Sequence, residues 1–218
     1  MLELILFDLD GTLADTAPDL GGALNAVRQE CALTRLPLEH LRPYTSQGVR
    51  GLLHAGFGID PSHADYARLS ERLLDIYARN ICVETRLFPG MASLLNEIES
   101  AGMRWGIVTN KRTRYTQPLV AALGLSQRAA TVVSGDTTAA SKPSPLPILH
   151  ACSEAGVEPS AVLYVGDDRR DVEAGKAAGT HTAAVTFGYL GDGGPIESWG
   201  ADHIAQDTQE LASIIFGR

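Results

Sequence analysis

The chain has 218 residues, of which 44% are apolar and 20% charged, with 18 Lys and Arg against 26 Asp and Glu for a formal net charge of −8. That composition excludes a disordered chain, and a chain of this length buries enough apolar surface to fold without a disulfide or metal staple. The acidic balance argues against nucleic-acid or anionic-membrane partners, which want a basic face, but not against a small anionic substrate held in a local pocket. Cys31, Cys82 and Cys152 are far apart with no CxxC pair, which excludes a disulfide scaffold and a zinc knuckle and fits a reducing cytoplasm. No run reaches the roughly 18 apolar residues of a membrane span. Met1-Leu2-Glu3 opens no basic and then apolar leader, so no signal peptide is expected.

Glu3–Phe7 is a short apolar run ended by the polar turn Asp8-Leu-Asp10-Gly-Thr12. Such a run predicts a buried parallel strand. Residues 16–85 contain no convincing strand. Leu20–Ala32 and Tyr66–Ile81 are amphipathic, and Leu36–Phe57 holds shorter pieces, so an all-helical insertion is expected there. Phe88-Pro-Gly90 then punctuates the return to alternation. Strands are expected at Arg104–Asn110, Ala130–Ser134, Ala161–Asp167, Thr182–Thr186 and Asp202–Ile204. Helices are expected at Met91–Ser100, Thr113–Leu123, Pro145–Ala155 and Val172–Ala178, with Gly102, Gly124, Gly156 and Gly179 just past each. Gly188–Pro195 is a Gly-rich loop. Asp207-x-x-Glu210 opens a last short helix as a capping box. The pattern predicts a doubly wound, mostly parallel α/β sheet, with residues 1–15 and 86–218 forming the core and 16–85 a helical cap.

Ligands of open parallel sheets bind beyond the carboxyl ends of the strands. The residues following the strands are Asp8 and Asp10, then Thr109, Asn110 and Lys111, then Lys142, then Asp167, Asp168 and Asp171. Up to five carboxylates in one pocket cannot all ionise unless something positive sits among them. Lys142 is one candidate and a hard divalent cation the other; Mg2+ prefers a few carboxylates, water and phosphate oxygen. Thr109 and free N–H groups suit a phosphate. Each residue alone also has a plain structural reading, as a helix cap, a turn hydroxyl or a solvated lysine. It is their joint recurrence at the same end of the sheet that points to phosphoryl chemistry.

Asp8-Leu-Asp10-Gly-Thr12, Thr109-Asn-Lys, Ser141-Lys142-Pro and Gly166-Asp-Asp-Arg-Arg-Asp171 resemble the four signature motifs of the haloacid dehalogenase superfamily, and the helical insertion resembles that superfamily's cap. Within it the chain is most similar to the phosphoglycolate phosphatase family. Val108-Thr-Asn-Lys111, Gly166–Asp171 and Trp199-Gly-Ala-Asp202 also resemble the N-acetylmuramic acid 6-phosphate phosphatase branch. The resemblance implies a cytoplasmic, Mg2+-dependent phosphatase of small phosphorylated metabolites, acting as a monomer or homodimer. Asp8 is then the nucleophile, forming an aspartyl-phosphate, and Asp10 the general acid and base. Asp8, the main-chain carbonyl of Asp10 and Asp167 hold the metal. Thr109, Asn110 and Lys142 bind the phosphoryl oxygens, with Thr109 and Lys142 steadying them in the transition state. Asp171 orients Lys142 or a metal-bound water, and Asp168 belongs outside the ligand set.

Dehalogenases lack an acid two residues after the nucleophile, so Asp10 favours phosphate chemistry. A phosphomutase shares these motifs. A phosphoacceptor switch carries its Asp after a middle strand, and a non-catalytic partner protein is expected to have lost a motif residue. The cap is expected to select the substrate through Tyr44–Gly51. Arg50 is its candidate for a substrate carboxylate, present in both phosphoglycolate and N-acetylmuramate 6-phosphate. Tyr66 and Tyr77 are expected to pack within the cap.

Overall fold

A computed structural model of the protein describes residues 2–191 and 193–218. Met1 and Asp192 lie outside them, so the N-terminal reading and the Gly-rich loop are each described without one residue. The first half runs β1 (Leu4–Phe7), β2 (Ala14–Asp15), α1 (Ala17–Glu30), α2 (Leu38–Leu41), α3 (Gly48–Phe57) and α4 (Tyr66–Arg79). The second half runs β3 (Arg86–Leu87), α5 (Met91–Ser100), β4 (Arg104–Val108), α6 (Thr113–Ala122), β5 (Val132–Val133), α7 (Leu146–Ala155), β6 (Val162–Gly166), α8 (Arg169–Ala178), β7 (His181–Val185), β8 (His203–Ala205) and α9 (Thr208–Phe216).

All four residues of β1 are buried, as a central parallel strand covered on both faces requires. Ile5 and Phe7 join one apolar cluster while Leu4 and Leu6 join the opposite one, which is the period of two of an extended chain. β1 pairs in parallel with β4 and with β6. The sheet order is β5-β4-β1-β6-β7-β8, parallel throughout. The expected strands are all present, the one near Ala130 reduced to two residues. α8 begins three residues before the expected Val172. Asp168 caps it by accepting from Arg170 N–H, and Asp171 closes the reciprocal bond to Asp168 N–H. At α9, Asp207 accepts from Gln209 and Glu210 N–H, while Glu210 returns to Gln206. The expected box there is displaced by one residue.

α1 to α4 pack around their own cluster, which includes Leu24, Leu52, Leu69, Leu73 and Tyr77; Tyr115 of α6 joins it from the sheet side. Two elements escaped the sequence reading. β2 and β3 pair antiparallel, Ala14 opposite Leu87 and Asp15 opposite Arg86, so the two connections of the helical layer run side by side. Asp19, in the first turn of α1, secures the return: its buried carboxylate accepts from the N–H groups of Val83, Glu84 and Thr85 and from the Thr85 hydroxyl, at 2.7–3.0 Å. Among the described residues, no helix is long and apolar enough to cross a membrane.

Candidate active site

β1 is flanked on both sides, so the chain leaving it emerges at the middle of the sheet's carboxyl edge. Asp8 N–H still bonds Val165 O at 2.9 Å, which fixes Asp8 at that edge. The chain then turns back at Gly11, whose φ is +91°. A Cβ there would meet the Asp167 carboxylate and the Tyr189 ring, so only glycine fits this left-handed, close approach. The turn puts Thr12 Oγ1 2.9 Å from Asp167 Oδ1, to which it donates. Thr16 Oγ1 donates to Asp10 Oδ1 at 2.5 Å.

Lys142 enters from the loop between β5 and α7. Asn110 fixes that loop, donating to Lys142 O at 2.9 Å and accepting from Lys142 N–H at 3.0 Å. Lys142 Nζ donates to Val108 O at 3.0 Å, Tyr164 Oη at 2.8 Å and Asp171 Oδ1 at 2.6 Å. An ammonium has three protons, so these contacts account for all of them. Asp8 Oδ1 lies 2.9 Å from the same nitrogen. It is buried and makes no well-aligned hydrogen bond. Burial works against the Lys142 charge, but Asp171 and Asp8 outweigh it and hold its pKa well above that of an ordinary lysine.

Asp8, Asp167 and Asp171 each bring a carboxylate oxygen within 4.8 Å of the others. Burial pushes Asp8 up to about 6, with Lys142 opposing and Asp171 and Asp10 adding to the rise. Asp167 is pushed well above its ordinary range, by burial and then by Asp8 and Asp171. One lysine therefore faces three crowded carboxylates. A hard cation with oxygen ligands fits this donor set, because Lys142 alone does not balance the three carboxylates. Both Asp171 oxygens are already engaged, one by Lys142 and one by Asp168 N–H at 3.1 Å. Asp168 faces Arg170 in a two-pronged pair at 2.9 and 3.0 Å.

Asp8, Asp10, Thr109, Asn110, Lys142, Asp167 and Asp171 all line one cavity of about 480 Å³, closed from above by residues of α1, α3 and α4 and by the Thr45–Gln47 turn. Thr109 is buried and its hydroxyl accepts from Lys111 N–H. The Asn110 side chain holds the Lys142 loop through its oxygen and one of its two amide N–H groups. Arg50 is exposed on α3 and does not line the cavity; its helix turns it outward, while the preceding residues Thr45–Val49 face in.

The sequence reading gave no role to Lys111. Its Nζ bridges both oxygens of Asp10 at 2.8 and 3.0 Å and lies 4.9 Å over the Tyr77 ring of α4. Burial opposes its charge, yet Asp10 and Tyr77 beside it raise its pKa above the ordinary lysine value. Arg112, next along, lines the cavity with no ion pair among the described residues. The one signal for both was their position just after Thr109-Asn110 at the carboxyl edge. Tyr77 packs among the helices as expected, but it also lines the cavity, as does Tyr115.

Residues 5–185 match the haloacid dehalogenase-like hydrolase family. Over 214 residues the chain is 40% identical to an N-acetylmuramic acid 6-phosphate phosphatase of Pseudomonas aeruginosa, covering 98% of this chain and 95% of that one. It is 41% identical over 211 residues to a phosphoglycolate phosphatase of Xanthomonas campestris, covering 95% and 93%. The crystal structure of a predicted phosphoglycolate phosphatase from Haemophilus somnus superposes with a TM-score of 0.85 at 26% identity, over 98% of each chain. With four motifs meeting in one cavity and a match over most of its length, this chain belongs to the haloacid dehalogenase-like hydrolase family.

Proposed function

We propose that the protein hydrolyses small phosphomonoesters in two steps through Asp8, with residues 16–85 acting as a cap over a core of 1–15 and 86–218. The observation that carries this reading is the Asp8 carboxylate at the edge of the sheet, with Oδ1 2.9 Å from Lys142 Nζ and oxygens of Asp167 and Asp171 within 4.8 Å. An Asp8 oxygen attacks phosphorus, the ester P–O bond breaks, and Asp10 gives its proton to the departing oxygen. Asp10 then takes a proton from water, whose oxygen attacks phosphorus and breaks the Asp8–phosphorus bond. The products are inorganic phosphate and free Asp8. Thr109 and Lys142 face the phosphoryl oxygens as charge moves onto them. Asp171, through its 2.6 Å bond, aims Lys142.

Asp8, Asp167 and the main-chain carbonyl of Asp10 are the residues that would hold Mg2+. The ion supplies neutralisation of the phosphoryl and carboxylate charge. The named relatives act on phosphoglycolate and N-acetylmuramic acid 6-phosphate, both carboxylated, and the unpaired cation lining this cavity is Arg112. Scattered free cysteines support a cytoplasmic site of action. Phosphate release from phosphoglycolate, sugar phosphates and p-nitrophenyl phosphate, with Mg2+ and with excess chelator, tests the reading. Turnover that needs Mg2+ is expected; undiminished turnover in chelator, or none on any phosphomonoester, contradicts it.

A further inference from the structure

Buried polar side chains in folded proteins almost always find partners. Among the described residues, five buried side-chain polar atoms make no well-aligned hydrogen bond, Asp8 Oδ1, Ser46 Oγ, Tyr77 Oη, Tyr115 Oη and Ser134 Oγ, although Lys142 faces Asp8 and Lys111 faces Tyr77. Four of the five residues line the same cavity, Ser134 being the exception. Asp8 belongs to the phosphoryl end. The other three come from the helical layer and its border: Ser46 from the turn before α3, Tyr77 from α4, Tyr115 from α6. Tyr77 and Tyr115 are 1% and 4% exposed, with ring centroids 5.9 Å apart. The Tyr115 phenol, left without a partner, carries a desolvation penalty that a fold has no reason to keep, and the Tyr77 phenol has only the Lys111 ammonium, itself paired with Asp10, beside it. Replacement by Phe would remove it at no cost in packing.

From this arrangement we infer that Tyr77, Tyr115 and Ser46 are specificity residues whose hydroxyls hydrogen-bond a polyhydroxylated leaving group, so that the substrate is a sugar phosphate rather than a two-carbon phosphoester. The inference rests on the phosphatase reading above. Three independent features agree with it. The cavity, about 480 Å³, falls in the range of roughly 300–1,000 Å³ that encloses a ligand of drug size, far more than a two-carbon phosphoester fills. Its wall combines these hydroxyls with apolar Leu20, Val49 and Leu74, the mix that the hydroxylated edges and C–H faces of a sugar ring require. Lys111 lies 4.9 Å over the Tyr77 ring while it pairs with Asp10. The phenols therefore border the acid that must reach the leaving oxygen. Burial pushes the Tyr77 phenol up to about 12 and raises Tyr115 as well. Both remain protonated donors at neutral pH. A site with buried hydroxyls discriminates against a ligand that leaves them unpaired.

The test compares wild type, Tyr77→Phe, Tyr115→Phe and the double variant on N-acetylmuramic acid 6-phosphate, glucose 6-phosphate and phosphoglycolate, alongside the melting temperature of each protein without substrate. The wild type is expected to have the higher kcat/KM on a sugar phosphate. Each Phe is expected to raise KM for that sugar phosphate by roughly 2- to 12-fold, the worth of one hydrogen bond. The ratio of sugar-phosphate to phosphoglycolate kcat/KM falls with it. The melting temperature holds or rises, because a buried unpaired hydroxyl has been removed. That pairing of greater stability with poorer recognition is one that a purely structural tyrosine does not give. A wild type that prefers phosphoglycolate overturns the inference, as do Phe variants that lower both substrates equally or neither. Absence of any phosphatase activity, including on p-nitrophenyl phosphate with Mg2+, overturns the phosphatase reading itself and this inference with it.

Discussion

Asp8 combines burial, the acidic neighbours Asp171 and Asp10, and an ion pair with Lys142 that only partly offsets them. Its folded pKa of about 6 exceeds the ordinary value of about 3.9. A carboxyl raised in this way stabilises the fold below its unfolded pKa, and that contribution is lost as pH rises from about 4 through 6. In chelator at neutral pH the Asp8 charge therefore weighs against the fold. Asp8→Asn is expected to abolish turnover yet raise the melting temperature in chelator by a few degrees. The gain should shrink as pH is lowered toward 4. Scanning calorimetry at several pH values checks this, and a melting temperature that falls at neutral pH contradicts it. Lys111 makes a second prediction. Lys111→Met leaves Asp10 with Thr16 alone, so the acid is misplaced. Loss of about 10- to 100-fold in kcat is expected on an alkyl phosphate. The loss should be smaller on p-nitrophenyl phosphate, whose leaving group needs little proton. Equal losses would show that Lys111 acts on something other than the acid. Asp8, Asp10, Thr109 and Asp167 were legible because each comes at the end of an apolar run, and Lys142 because it stands in Ser-Lys-Pro in the loop beyond one. The Lys111–Asp10 pair was not, since it joins residues 101 positions apart and no local pattern encodes it.

Short elements decide how the two layers are joined. β2 and β3 have two residues each, too few to carry a hydrophobic period, and their pairing could not be read from the chain. Asp19 was equally silent, an acidic residue in a helix's first turn, where its charge already has a local reason to sit. In the fold its carboxylate accepts from four donor groups of Val83, Glu84 and Thr85. Asp19→Ala strips three backbone donors of their partner inside the protein. A loss of about 2–4 kcal/mol is expected, read as a lower midpoint in urea unfolding. A change within about 0.5 kcal/mol, the usual effect of a surface substitution, would mean that water replaces the carboxylate freely. The long strands and helices were legible because their periodicity and glycine stops agree. α8 was cut short in the reading because Arg169–Asp171 is polar, although a capping box begins the helix there.

At the scale of the whole molecule, a chain of net charge −8 gathers Lys111, Arg112, Lys142 and Arg170 around one cavity together with Asp8, Asp10, Asp167, Asp168 and Asp171, so an anion needs a cation beside those carboxylates to be held there. Composition alone could not have revealed that concentration of both signs of charge in one place. The expected carboxylate partner, Arg50, lies outside that cavity because helix rotation cannot be fixed from a short segment containing two glycines. Arg112→Ala is expected to raise KM for a carboxylated substrate by about 3- to 10-fold, in keeping with one exposed, charge-assisted contact. Arg50→Ala should change KM by less than about 2-fold, as for a solvated surface charge. The reverse ranking would return Arg50 to the substrate site. Beyond the cavity, Asp15 pairs with Arg42 at 2.8 and 2.9 Å and accepts from the Tyr189 hydroxyl at 2.9 Å. The first connection of the helical layer is thus tied on one side to Arg42, just after α2, and on the other to Tyr189 in the loop after β7.

Covalent chemistry at Asp8 is what distinguishes two-step hydrolysis from direct attack of water on the ester. The direct measurement is rapid acid quenching during turnover of p-nitrophenyl phosphate with Mg2+, followed by peptide mass spectrometry. The account predicts one added phosphoryl group on the peptide containing Asp8, forming and decaying with the burst of nitrophenol and absent from Asp8→Asn. A phosphoryl group on any other residue, or hydrolysis by freshly purified Asp8→Asn at more than a few per cent of the wild-type rate, would contradict it.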